Sequence, residues 1–307
     1  MSDTPSRSRI ALALFVAILA VSTASIFIRL AQREAPSLVI AATRLTLATL
    51  TLLPIALLRH RQELRHLVQS HHFLLAFLSG AFLALHFATW ITSLEYTTVA
   101  SSVVFVSTGP LWVALLSPIF LREPLRRVVA MGLLLATTGG IIIASGDACE
   151  WQNGLRCPSL AVALQGRALW GNFLALIGAW AVSGYLMIGR RLRAQVSLVP
   201  YISVVYGIAA ILLILIALGR GQSFLGYQPQ TYFWMLMLGL VPQLIGHSTY
   251  NWALRYLSAT LVAITTLGEP LGSAILAYLI LNEIPTLFTI VGGALILTGI
   301  YLAARTD

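Results

Sequence analysis

The chain has no lysine, only ten carboxylates and two cysteines, and charged side chains make up 9% of its 307 residues. Soluble domains carry roughly 25% charged residues, so a water-soluble fold of this length is excluded. Nineteen arginines supply all the basic charge and leave a net +9. In a soluble protein that surplus would suggest nucleic acid; here most arginines sit in short segments between apolar runs, the distribution that fixes membrane orientation. Motifs for cofactors and catalysis are missing as well. There is no Walker sequence, and Gly219-Arg-Gly221 lacks the rest of a dinucleotide fingerprint. No His-Glu-x-x-His or carboxylate cluster offers a metal site, and no intramembrane Asp follows His247-Ser248 to orient a triad. Neither an enzyme nor a resident cofactor or metal is expected.

What fills the chain instead is apolar sequence, 58% of it. It comes in continuous runs of about 18 to 25 residues, long enough to cross a bilayer as helices. Lipid admits only helices or closed barrels, because every backbone polar group must be satisfied inside the protein, and these runs do not alternate as barrel strands do. Ten spans are expected, at 10–28, 37–58, 73–93, 99–121, 128–145, 169–189, 198–218, 232–254, 259–281 and 286–303. The first resembles a signal peptide, but it exceeds the usual core of about 7 to 15 residues and reads as an uncleaved span. With the N-terminus inside, thirteen arginines fall in cytoplasmic segments and four, Arg33, Arg156, Arg167 and Arg220, fall outside. That imbalance supports the span count and cytoplasmic termini. Cys149 and Cys157 both lie in the longest outside loop, 146–168. An oxidising compartment would permit a disulfide there; the alternative is two unpaired thiols in a linker.

One short pattern occurs twice. The segment from Pro110 to Glu123 recurs from Pro270 to Glu283, and a shift of 160 aligns the chain without a gap from about 80 to 144. Thr89, Tyr96, Gly132 and Gly139 thereby meet Thr249, Tyr256, Gly292 and Gly299. Each unit runs from a proline inside an apolar run to a glutamate at its end, then to two glycines seven residues apart. Seven residues is close to two helical turns, so each glycine pair shares a face and lets a neighbouring helix approach. An internal duplication follows: a first five-helix repeat over 1–148, a linker loop over 149–168 and a second repeat over 169–307. Five spans is an odd number, so the second half enters the membrane inverted. Inverted repeats offer two nearly equivalent packings around a site near the midplane, which suggests transport.

These units resemble the drug/metabolite transporter superfamily in its ten-helix EamA branch. So do Pro36-Ser-Leu-Val-Ile-Ala-Ala-Thr-Arg44 in the second span and Ala179-Trp180-Ala181 followed by Arg190-Arg191 around the sixth. Within that branch the chain is similar to the YddG-type exporters of aromatic and other neutral amino acids. The resemblance implies an all-α integral membrane protein, with spans 1 to 4 and 6 to 9 around a central cavity and spans 5 and 10 packed outside. It implies export of small metabolites by alternating access in a bacterial inner membrane, with a small-molecule substrate and the lipid bilayer as partners and no nucleic acid; the oligomeric state, a monomer included, is left open. A carrier for organic phosphates or nucleotide sugars, or a channel-like facilitator, are the alternatives.

Several residues are candidates for the site. The third span sets Ser79, Phe82, His86, Trp90 and Ser93 three or four residues apart on one face, and the eighth repeats the theme with Gln243, His247 and Asn251. Polar groups in spans face a cavity or another helix, so each imidazole is a ligand contact, a proton relay or an interhelical hydrogen bond. Trp112 follows the kink-prone Pro110, and Trp180, Ser183, Gly184 and Met187 share a face of the sixth span beside Tyr185. Aromatic faces next to small residues suit a flat apolar ligand; Trp151, Trp170 and Trp234 read as interface anchors.

Arg44 and Glu269 fall inside the hydrocarbon, where an unpaired charge costs roughly 2.5 to 3.5 kcal/mol or more. Arg44 would attract a substrate carboxylate, or else snorkel or cap a helix. Glu269 would meet an ammonium group or exchange a proton, or else pair with a helix terminus or a basic residue. The expected substrate-binding set is Arg44, His86, Trp90, Trp112, Trp180, Tyr185, His247, Asn251 and Glu269. Pro110 and Pro270 are expected hinges or fixed kinks, and Glu123 and Glu283 are expected to stabilise the start of the following helix or an interfacial network.

Overall fold

The computed structural model of the chain describes residues 5–122, 127–128, 131–132, 134–135, 138–139, 142, 150–151, 155–156 and 166–304. In chain order its helices are α1 (Arg7–Ala31), α2 (Ser37–Arg59), a short α3 (Arg61–Gln69), α4 (His72–Ser93), α5 (Val99–Phe120), α6 (Arg167–Arg193), α7 (Leu198–Gly219), α8 (229–253), α9 (Ala259–Leu281) and α10 (Leu287–Ala304). Apart from α3, α8 and α10 they are long and apolar enough to cross a membrane, seven among the described residues. The expected span 128–145 lies largely outside the described residues, as do Glu123, Cys149 and Cys157. Two strands of two residues, β1 (Glu150–Trp151) and β2 (Leu155–Arg156), pair antiparallel in the linker.

The solvent for this fold can be read from which apolar residues are hidden. Leu12, Phe15, Leu58, Ile119, Phe120 and Leu279 stand exposed on the exterior, whereas Ala17, Ala41, Ala175, Ala209, Ser79 and Ser183 are buried completely. A water-soluble bundle would do the reverse. Lipid tails are as apolar as leucine, so the helices gain nothing by hiding leucine and associate through close backbone approach and polar contacts. Gly268 and Gly272 show this on α9. A Cβ added at Gly268 would sit 2.5 Å from Ile18 Cγ2, and one at Gly272 would overlap Ser22 Oγ, so this glycine pair is where α1 crosses α9. Gly139 meets the Gly292 carbonyl just as closely, which brings the glycine positions of the two repeat units face to face.

The two halves interleave. Helix α4 packs along α6 and α2 along α7, while α1 lies against α8 and α9, and α5 against α6 and α9. Helices α5 and α9 are each interrupted, at Ser107–Thr108 and at Thr266–Leu267. The cause lies a few residues on. Pro110 and Pro270 have no N–H, and their rings collide with the carbonyl four residues back. Both pieces then end beside a left-handed residue, Arg122 (φ 59°) and Asn282 (φ 58°), at equivalent places in the two units. The repeat thus recurs in backbone conformation. A further irregularity falls in α8, where Gly239–His247, containing Pro242, is π-helical.

Glutamates fasten the starts of distant helices. Glu34 accepts hydrogen bonds from Gln228 N–H (3.0 Å) and Thr231 Oγ1 (2.7 Å) at the start of α8. Glu63, on α3, accepts from Ser197 N–H and Oγ, both at 2.5 Å, at the start of α7. Glu283 accepts from Val99 N–H at 2.8 Å and pairs with Arg29 at 3.0 Å. The helix start that Glu283 serves is therefore that of α5 and not the following α10, because the end of α9 lies beside α1 and α5.

Candidate functional site

The interrupted stretches of α5 and α9 border a cavity of about 50 Å³. Helix α4 supplies His86 and Trp90, α5 Ser107 and Pro110, α6 Val182 and Leu186, α8 His247 and Tyr250, and α9 Thr266 and Glu269. Both halves build the wall. Drug-sized ligands occupy pockets of roughly 300 to 1,000 Å³, whereas a water needs only about 10 to 15 Å³ of such volume. At this size the cavity has room for a few waters and is too small for a drug-sized ligand.

His86 is held in place from behind. Its Nδ1–H donates to Gly178 O on α6 at 2.9 Å, which in the neutral ring leaves Nε2 as an acceptor. The ring stacks on Trp90 at 5.7 Å with 18° between planes, and the His247 ring lies 6.3 Å away. His247 in turn meets Phe87 edge-on at 5.3 Å and Tyr250 at 6.3 Å. His86 is thus both an interhelical hydrogen bond and part of the wall. Glu269 lines the cavity and takes no part in either ion pair found among the described residues, Arg29–Glu283 and His60–Glu63.

Arg44 sits off the wall. It is wholly buried, its Nε–H donates to Gln243 Oε1 at 2.8 Å, and its guanidinium lies 4.1 Å over the Phe87 ring. Its two terminal nitrogens have no hydrogen-bond partner. Tyr185 and Asn251 are also away from the cavity, joined to each other and, through Asn251 Nδ2 at 3.4 Å, to Tyr206. Trp112 is half-buried and outside the wall. Trp180 is 53% exposed and lines a different feature, an outward groove of about 390 Å³ shared with Phe82, Phe120, Gly184, Met187 and Arg191. Of the face of α6 expected to line the cavity, Trp180, Gly184 and Met187 border this outward groove and Ser183 is buried against α5, while Val182 and Leu186 reach the cavity instead. Ser183 donates to Gly109 O at 2.9 Å.

Tyr250, Ser107 and Thr266 belong to the site without having been singled out by spacing. A regular helix through Gln243, His247 and Asn251 keeps one face by steps of four. The π-helical segment, with its extra residue, ends at His247, and in the regular helix that follows Tyr250 lies three residues on and shares the wall with His247, while Asn251 turns toward Tyr185. Pro242 between Gly239 and Gly246 is the sequence signal that this stretch is irregular.

Seven bilayer-length helices, a lipid-adapted exterior and a largely apolar cavity with a few polar groups, walled by both segments of the chain, fit a multi-pass membrane protein of the transporter class. Two segments, residues 8–145 and 169–305, match the EamA-like transporter family, and the chain belongs to that family. It is 24% identical over 226 residues to an uncharacterized transporter of Archaeoglobus fulgidus, covering 73% of each chain. It is 22% identical over 232 residues to the uncharacterized transporter YdfC of Bacillus subtilis, covering 74% of this chain and 69% of that one. The fold also matches a solved crystal structure of another protein with a TM-score of 0.70, 20% identity and 98% coverage of both chains.

Proposed function

We propose that the chain is a secondary transporter that exports small neutral metabolites, aromatic and other neutral amino acids foremost, by alternating access. In this reading ten spans form two inverted five-helix halves in a bacterial inner membrane, with both termini cytoplasmic, and a monomer suffices. One observation carries it: the two halves meet at matching helix interruptions, and the cavity between them holds a carboxylate and two imidazoles but no fixed cation. The breaks before Pro110 and Pro270 are the hinges on which the halves would rock, since each already lacks part of its helical hydrogen bonding. The Arg29–Glu283 pair with Val99 N–H fastens α9 to α1 and α5 at one end of the bundle and must part when that end opens.

Organic phosphates and nucleotide sugars fit less well, because dianions want cations on the wall and Arg44 lies off it. The test is counterflow in proteoliposomes with radiolabelled amino acids, run with and without a pH gradient. Saturable uptake, faster when the vesicles are loaded with the same amino acid, is the expected result. Non-saturating conductance would make the protein a channel, and exchange restricted to phosphate compounds would replace the substrate class.

A further inference from the structure

Two donors in the cavity wall have nothing to donate to. Trp90 and Tyr250 are 2% and 3% exposed and both line the central cavity. Among the described residues, neither the Trp90 indole N–H nor the Tyr250 hydroxyl has a hydrogen-bond partner. A buried donor in this condition bears its full desolvation penalty, and folded proteins satisfy nearly all such groups. Both atoms are also out of reach of solvent. Glu269 supplies the complementary need. It lines the same cavity and makes no ion pair within 4.0 Å among the described residues, with Arg44 acting on it only from a longer distance.

Resting on the amino acid reading above, we infer that the site recognises its substrate at both ends, with Glu269 taking an ammonium group and the Trp90 Nε1–H and Tyr250 Oη–H together taking the carboxylate of a zwitterion. Trp90 is then a hydrogen-bond donor as well as a ring, and Tyr250 is a specificity-determining residue. Arg44 does not provide the carboxylate contact; it lies behind the wall, bonded to Gln243 and covering Phe87. Sites built to hydrogen-bond a ligand group discriminate steeply against analogues that lack it, because the buried donors are left unpaired. A substrate must therefore carry both a free amine and an acceptor.

The test compares phenylalanine, phenethylamine (no carboxylate) and N-acetylphenylalanine (no ammonium) as competitors of phenylalanine counterflow in proteoliposomes. In the parent, each analogue is expected to compete at least tenfold more weakly than phenylalanine. Trp90→Phe and Tyr250→Phe, which keep a ring and lose the donor, are each expected to raise the phenylalanine KM at least tenfold while changing phenethylamine inhibition less than twofold. Equal competition by phenylalanine and phenethylamine in the parent overturns the inference, as does equal weakening of both compounds in the variants. Should a variant fail to reach the membrane, the parent comparison alone decides. Transport without discrimination sinks this inference only, whereas no transport of any amino acid sinks the substrate reading and this inference with it.

Discussion

Arg44 concentrates the cost of burying a charge in one side chain. Its guanidinium is completely buried, one N–H is bonded to Gln243, and its terminal nitrogens are unsatisfied. Replacing a whole buried ionic pair by apolar groups is often neutral or stabilising, but removing one partner leaves the other buried and unsatisfied and is destabilising. Arg44→Met removes one partner only and leaves Gln243 Oε1 without that donor. It is therefore expected to cost about 1 to 3 kcal/mol, read as a lowered melting temperature in detergent. A melting temperature that rises would show that the buried charge costs more than its contacts return. Gly272 is the opposite case, since any side chain there overlaps Ser22. Gly272→Val should cost about 1 to 3 kcal/mol by overpacking, read as a lowered melting temperature, and an unchanged value would place α1 farther from α9. The intramembrane charge of Arg44 and Glu269 could be read from hydropathy alone. That Glu269 reaches the cavity and Arg44 does not depends on which way each helix is turned.

At the scale of elements, carboxylates at helix starts tie the chain together across long sequence separations. Glu34 is held below the usual glutamate range, first by the Thr231 hydroxyl and then by the Gln228 N–H. A lowered carboxylate contributes stability that is complete above its unfolded pKa and is lost as pH falls through the folded value. Amide exchange at residues 228–232 should therefore quicken relative to the rest of α8 as the medium is acidified below about pH 4. In Glu34→Gln it should be fast already at neutral pH and insensitive to acid. If the parent and the variant exchange alike at pH 7, the cap is not what orders this start. The sequence marks glutamates as suited to helix N-termini, but it says nothing of which helix. Glu283 serves α5 because folding brings residue 283 beside residue 99.

For the whole molecule, the decisive property is how the two halves are threaded. Single cysteines at Gln69, after α3, and at Ser223, after α7, placed in a cysteine-free background, should react with a membrane-impermeant maleimide from opposite sides of sealed vesicles. Labelling from one side only would remove the inverted repeat and with it the symmetrical switch. The same preparation of the unmodified chain, digested without reductant, should yield a Cys149–Cys157 linked peptide if the linker faces an oxidising compartment.

The sequence by itself determined the solvent, the helices and the duplication. Backbone satisfaction in lipid is a local requirement, met within each run, so run length alone places Ser37–Arg59 or Leu198–Gly219 to within a residue or two. The pairing of Pro110 with Pro270 is local in the same sense and carries the helix breaks with it. Tertiary structure decided what faces the centre. One residue of rotation about a helix axis is about 100°, so the exposure of Trp180, the inward turn of Val182 and the placing of Tyr250 rather than Asn251 on the wall rest on how neighbouring helices interlock, which no single span encodes.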